Sequence, residues 1–247
     1  MEKMKNVILL FTVIGATFLM TSCMAGGETS YTGSPLSYIT CTEMGTVYAR
    51  TLDGLPITSP EIKMELPGSF VYVKYSWKES ENSITEEGVY NATVMEISDP
   101  VDQSSLWPVA APIEKVDPGQ EIPLTSFNHL FYGGPYFDHH WICNFGYKKG
   151  DGGKKTLAFY HDVNEGNENE VIIDIRLVDA PGTVDKDQSE VLHAVNLKPI
   201  HDHYAASLPS KNAYKDLHVY FRYYRDVGGH VELYKTSQYY IMQVVKE

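Results

Sequence analysis

Histidine is the residue type in this chain best placed for acid–base or metal chemistry, and all nine histidines lie at or after His129. Two concentrations occur, His139-His140 and His201-Asp202-His203. On an extended segment an H-x-H spacing turns both rings to one face, which suits a divalent metal such as Zn²⁺. Such a site needs a third or fourth ligand from a distant strand, and His161 and Asp138 are the residues of the right kind. With a metal bound, His139, His140, His201 and His203 would make the chain a metal-dependent hydrolase. The competing reading is of polar loop residues beside the turns that Pro135 and Pro199 mark. Asp185 and Asp187, in Asp185-Lys186-Asp187-Gln188-Ser189, have the 1-3-5 oxygen spacing of a calcium loop. Glu190, however, stands where the turn glycine is needed, and Asn196 where the closing bidentate glutamate is needed. Asp162 to Glu170 reads as a charged hairpin loop or a weak cation site. A divalent cation is thus the one cofactor these residues admit, and the incomplete patterns favour none.

Nucleophilic chemistry has less support. No Gly-x-Ser-x-Gly elbow and no His-Glu-x-x-His pair occurs, and Cys143 has no nucleophile signature around it. The glycine-rich run Gly146 to Thr156 lacks the Gly-Lys-Ser/Thr closure of a phosphate loop, since Lys155 follows Gly153-Lys154, and it lies between two strand patterns. Triads assemble in space, so these absences lower the case for an enzyme without removing it. The 247 residues carry 20 Lys+Arg against 32 Asp+Glu, a net charge of −12, which argues against a nucleic-acid partner. The expectation is a non-enzymatic protein that binds a protein or glycan. Its densest aromatic loop, Tyr132, Tyr136, Phe137 and Trp141 beside Gly133-Gly134, is the candidate surface, with burial of these rings between sheets as the alternative. A second stacking face is conceivable from Tyr48, Tyr72 and Trp77, against which Trp77 also reads as core.

The elements that would position these groups begin with an export signal. Lys3 and Lys5 precede the largely apolar run Val7 to Met20, too short to span a bilayer in a helix but of the length of a secretory signal. The sequence Leu19-Met20-Thr21-Ser22-Cys23 closes it and resembles a bacterial lipobox. Residues 1–22 are therefore predicted to be a lipoprotein signal peptide, Cys23 the lipidated residue, and 23–36 a Gly/Ser/Thr-rich tether. The expected location is the cell envelope, anchored to the outer membrane through Cys23, on its periplasmic or its surface face. Cys41 and Cys143 remain; they could form a disulfide, but two separate thiols are the expectation.

Alternation at period 2 recurs throughout the mature chain and no sustained helical stripe is seen. Val47 to Thr51, Val71 to Trp77 and Tyr90 to Val94 define a small N-terminal unit over 37–98. Residues 99–126 hold five of the thirteen prolines and read as an extended connector. Trp141 to Tyr147, Leu157 to His161, Val171 to Leu177, Val191 to Leu197, His218 to Tyr224, Val231 to Tyr234 and Tyr239 to Val245 give seven strands over 127–247, as in an antiparallel β-sandwich.

This arrangement resembles the NigD-like lipoproteins of Bacteroides and relatives. The residues carrying the resemblance are Gly45-Thr46-Val47-Tyr48 running to Leu52-Asp53-Gly54, Val71 to Ser76 and Tyr90 to Ile97 in the first half. Leu157 to Asp162, Ile172 to Leu177 and Val191 to Leu197 carry it in the second. The resemblance implies an all-β protein, an OB-like barrel followed by a β-sandwich, tethered in the envelope. It also implies a bacteriocin-immunity or accessory role, and it supplies no catalytic residues.

Overall fold

A computed structural model of the chain describes residues 28–106, 108–109, 122–147, 155–179 and 188–246. Cys23, the signal segment, the turn at 148–154 and the Asp185 and Asp187 loop lie outside the described residues. The chain is nearly all β and divides into two compact units on either side of Val101 and Asp102. Among the described residues no helix is long and apolar enough to cross a membrane.

The first unit contains β1 (Ser30–Gly33), β2 (Leu36–Cys41), β3 (Val47–Thr51), β4 (Pro56–Thr58), β5 (Phe70–Lys78), β6 (Tyr90–Asn91) and β7 (Thr93–Ile97). They form one seven-stranded sheet, ordered β1-β5-β2-β3-β4-β6 with β7 also on β5, that curls into a half-barrel. The period-2 pattern of β5 decides its faces: Val71, Val73, Tyr75 and Trp77 are buried with Ile39, Ala49, Ile57 and Ile62, while Tyr72 and Lys74 face solvent. Trp77 is core, packed edge-on against Tyr90 at 5.0 Å, so Tyr48, Tyr72 and Trp77 do not form one solvent-facing platform.

The second unit runs β8 (Asp102–Ser105), β9 (Pro108–Val109), β10 (Leu124–Tyr132), β11 (His140–Tyr147), β12 (Lys155–Asp162), β13 (Glu170–Asp179), β14 (Gln188–Asn196), helix α1 (Lys198–Ala206), β15 (Tyr214–Val227), β16 (His230–Lys235) and β17 (Tyr240–Val245). Its ten strands follow the order β8-β14-β11-β10-β15-β13-β12-β9, with β16 and β17 both on β15. The sheet folds over so that β10 and β11 face β15 and β17 across an aromatic core. Trp141 meets Phe221 edge-on at 5.1 Å and Tyr240 at 5.7 Å, and His129 stacks on Tyr240 at 4.0 Å.

Several details differ from the sequence expectations: Ser30–Gly33, within the 23–36 segment read as a tether, is strand β1 paired with β5, and Lys198–Ala206 is a helix. Pairing is mixed, because β8–β14, β9–β12, β13–β15 and the single β10–β15 contact are parallel. Alternation reports which face a residue takes and is blind to the direction of the neighbouring strand. Within the segment read as a connector, Asp102–Ser105 and Pro108–Val109 are strands at the two ends of the sheet. Proline is tolerated there because an edge strand leaves some N–H positions unused.

Candidate functional site

The histidines are positioned by two short elements. Between β10 and β11 the chain makes a single 3₁₀ turn, Gly134–Phe137, and then places Asp138 and His139 in the left-handed region at φ 47° and 59°. Gly133 allows this tightness, since a Cβ there would lie 2.4 Å from that of Phe137. The His139 carbonyl accepts the Leu197 N–H, and the Tyr132 hydroxyl and His139 Nδ1 share a hydrogen bond at 2.8 Å. From the other side, α1 begins with Pro199 in its first turn, where proline fits. The helix buries Ile200, His201 and Ala205 against the sheet.

The rings of His139 and His201 meet at 4.1 Å. His201 Nε2 accepts the Val245 N–H at 3.2 Å, which only the neutral ring can do, so Nδ1 carries the proton and donates to Asp202 at 3.1 Å. Burial pushes His139 down to about 4, with Lys198 adding to the effect. His129 is likewise held at about 4 by burial. His140 and His161 are lowered by burial too; each donates Nδ1–H to a backbone carbonyl, of Phe137 and Ile172 respectively, and His161 Nε2 accepts from the Tyr204 hydroxyl.

Of the histidines proposed as ligands, the structure therefore brings together only His139 and His201. The H-x-H argument fails because residues 201 and 203 lie on a helix, where two positions span about 200°, sending His201 inward and His203 to solvent. Among the described residues no group of three His, Cys, Asp or Glu side chains is placed to hold a metal ion. Both ring nitrogens of His201 are engaged within the fold, Nε2 as acceptor and Nδ1 as donor.

The aromatic loop is also largely internal. Trp141 and Phe137 are buried, Tyr132 is half-buried on His139, and only Tyr136 is exposed. Trp141 belongs to β11, whose inward positions pair with the alternation of Cys143 and Phe145, so it serves the core instead of a docking surface. Cys143 is buried and its thiol is pushed up by burial; it and the exposed Cys41 are both free thiols.

A different surface collects the exposed rings. Along β15, Leu217, Val219 and Phe221 point into the core, which turns Tyr214, Asp216, His218 and Tyr220 outward. Register with β17 sets Gln243 opposite Asp216 and Ile241 opposite His218. Tyr214 is 67% exposed, Ile241 58% and Tyr239 47%. His218 and Tyr239 stack with centroids 4.1 Å apart and planes at 19°, and Tyr220 meets Tyr239 edge-on at 6.0 Å. Lys235 Nζ sits 4.2 Å over the Tyr220 ring while paired to Glu170.

Beyond Tyr220, Arg222 is gripped by two carboxylates, Asp174 at 2.6 Å and Glu165 at 2.6–2.7 Å, each through two nitrogens. These bonds raise the Arg222 guanidinium further above its ordinary value and lower the Glu165 carboxyl. Sequence reading found the strands that make this face but not the face, because its membership depends on the register of β15 with β17.

No protein-family model matches the chain, and no curated protein matches it. Among solved structures, an uncharacterized protein from Parabacteroides merdae is similar, with a TM-score of 0.54 and 16% identity over 87% of this chain and 99% of that one. A NigD-like immunity protein from Bacteroides caccae also matches, with a TM-score of 0.46 and 16% identity over 85% of this chain and 93% of that one. At such identity the likeness to the P. merdae protein is one of fold, and that shared fold is what the comparison establishes for this chain.

Proposed function

We propose that this chain is a non-enzymatic lipoprotein of the cell envelope, anchored through Cys23, that captures an extracytoplasmic partner on the outer face of β15 and β17. The observation that carries the reading is the exposed strip of Tyr214, Tyr239 and Ile241, with the half-buried His218 stacked against Tyr239. Large apolar and aromatic side chains left in water along one sheet face whose other side packs the core cost solvation without stabilising the fold, and such exposed groups gathered on one face mark interaction sites. The strip replaces the 132–141 loop as the partner surface. The anchor follows from the apolar run ending in Leu19-Met20-Thr21-Ser22-Cys23. Several acyl chains hold such a protein at a membrane firmly, where one alone would not.

The test is photo-crosslinking in intact cells, with a benzophenone amino acid placed at position 239 of the full-length chain and, as a control, at the exposed position 95 of the first unit. Adducts at 239 that disappear when Ile241→Glu is added support the reading. Equal labelling at both positions, or none at 239, overturns it. Labelling with an alkynyl fatty acid, lost in Cys23→Ala, tests the anchor separately.

A further inference from the structure

We infer that the partner of this face is an uncharged oligosaccharide lying along β15; the inference rests on the proposed capture function and names the chemistry of its ligand. The strip is not a continuous apolar patch. It consists of two aromatic platforms separated by a polar pair. The first platform is the His218–Tyr239 stack with Tyr220 at its edge. The second is Tyr214, four residues along the same strand, hence about 14 Å from His218 at the rise of an extended chain. Between them Asp216 and Gln243 stand opposite each other, both exposed and joined by a long bond of 3.4 Å from Gln243 Nε2 to Asp216 Oδ1. The Gln243 amide keeps a second N–H and its carbonyl, and Asp216 keeps acceptor positions.

A pyranose ring presents C–H groups on its faces and hydroxyls around its edge. Its faces match the rings of Tyr214 and Tyr239, and its hydroxyls match Asp216 and Gln243. The centre of a protein–protein hot spot is a dry aromatic or apolar anchor with polar groups at the rim. Here the polar pair sits in the middle, the order suited to a polymer whose amphipathic unit repeats. A single sugar reaches one platform only, so the ligand is an oligomer.

Charge selects further. On this face the carboxylates of Asp174, Glu165, Glu170 and Asp216 outnumber three cations, Arg222, Lys235 and Arg176; the first two are committed to carboxylates, and Arg176 lies over the Tyr160 ring at 5.9 Å. A uronate or sulfate ester on the ligand would meet a net negative surface with no Lys or Arg of the strip left to receive it. Neutral sugars incur no such cost.

The test is calorimetry and affinity electrophoresis of the full mature chain. The probes are gluco- and manno-oligosaccharides of one to eight units, with polygalacturonate and dextran sulfate as anionic counterparts. The expected result is binding to a neutral series that strengthens by at least tenfold between one and about four units. Tyr239→Ala and Tyr214→Ala should each weaken it by tenfold or more, and Tyr239→Phe should restore most of the loss, with unchanged thermal transitions showing that the variants fold. Binding to the anionic polymers alone, equal affinity for a monosaccharide, or indifference to Tyr214→Ala would overturn the inference. If no neutral series binds while position 239 crosslinks to a protein, the ligand class is wrong and the capture reading stands. If neither occurs, both fall.

Discussion

His139 and His201 face each other at 4.1 Å, one from a left-handed turn and one from a helix, so a strained backbone segment and α1 are joined through two imidazoles. A proton on His139 is opposed by burial and by Lys198, and favoured by Asp138 and Asp202. His129, half-buried between Tyr240 and Trp141, resists protonation for the first of these reasons.

These two groups predict an acid-sensitive second unit. Their folded-state values of about 4 lie below the unfolded value near 6.5, so the unfolded chain takes up protons first as pH falls. Stability is fully present above about pH 7 and is lost between 6.5 and 4, on the order of 1–3 kcal/mol for each histidine at the lower limit. Urea unfolding at pH 7.5 and pH 5 should show the decline. In His129→Phe, which keeps a ring against Tyr240, the dependence should be shallower; an unchanged slope would refute the assignment.

Arg222 holds a buried carboxylate. Asp174 is only 6% exposed, and Arg222→Met would leave it with its charge and without its bidentate partner. The expected loss is about 3 kcal/mol in urea unfolding. Replacing both residues, Arg222→Met with Asp174→Leu, should recover most of that loss, because no charge then remains to be buried.

Trp141 and Tyr239 should separate stability from binding. Trp141→Phe removes packing against Phe221 and Tyr240 and is expected to cost about 1–2 kcal/mol, moderated because the indole N–H has no hydrogen-bond partner to lose. Partner capture per folded molecule should be unchanged. Tyr239→Ala should do the reverse, shifting stability by about 0.5 kcal/mol or less while abolishing capture. Crosslinking yield and the denaturation midpoint, measured on both variants, decide it.

The two described cysteines should differ sharply in reactivity. Cys41 is exposed and should react with a thiol reagent at once, whereas Cys143, buried on β11, should react only on unfolding. Thiol titration of a Cys23→Ala chain should give one reactive group, with a second appearing in guanidinium. Immediate reaction of two groups would contradict the placement of Cys143.

Much of this architecture is legible in the residues. Val71, Val73, Tyr75 and Trp77 alternate on the page and are buried together in β5, as are Trp141, Cys143, Phe145 and Tyr147 in β11. The helix was missed because α1 is nine residues long and its histidines at 201 and 203 mimic a strand's alternation. The available signal was Pro199 in a first turn followed by Ile200, Tyr204 and Leu208 at helical spacing. The 132–141 loop misled for a related reason: rings clustered in sequence beside glycines read as exposed, yet β11 carries Trp141 inward. The strip at Tyr214, Tyr239 and Ile241 was not legible, since these residues become neighbours only when β17 pairs with the first half of β15 after β16 has taken the second.

Few of the second unit's edges are closed by neighbours in sequence. β8 lies beside β14, with Asp102 matched to His193 about 90 residues later, and β9 waits for β12. As the chain emerges from the ribosome, Asp102–Ser105 has no partner until most of the unit has been made. Folding of this unit is consequently late and slow, governed by the closing of long loops before any contact repays them. For a chain bound for export, as proposed, that delay is an asset: topology alone keeps the polypeptide threadable during the interval in which it must still pass through a membrane.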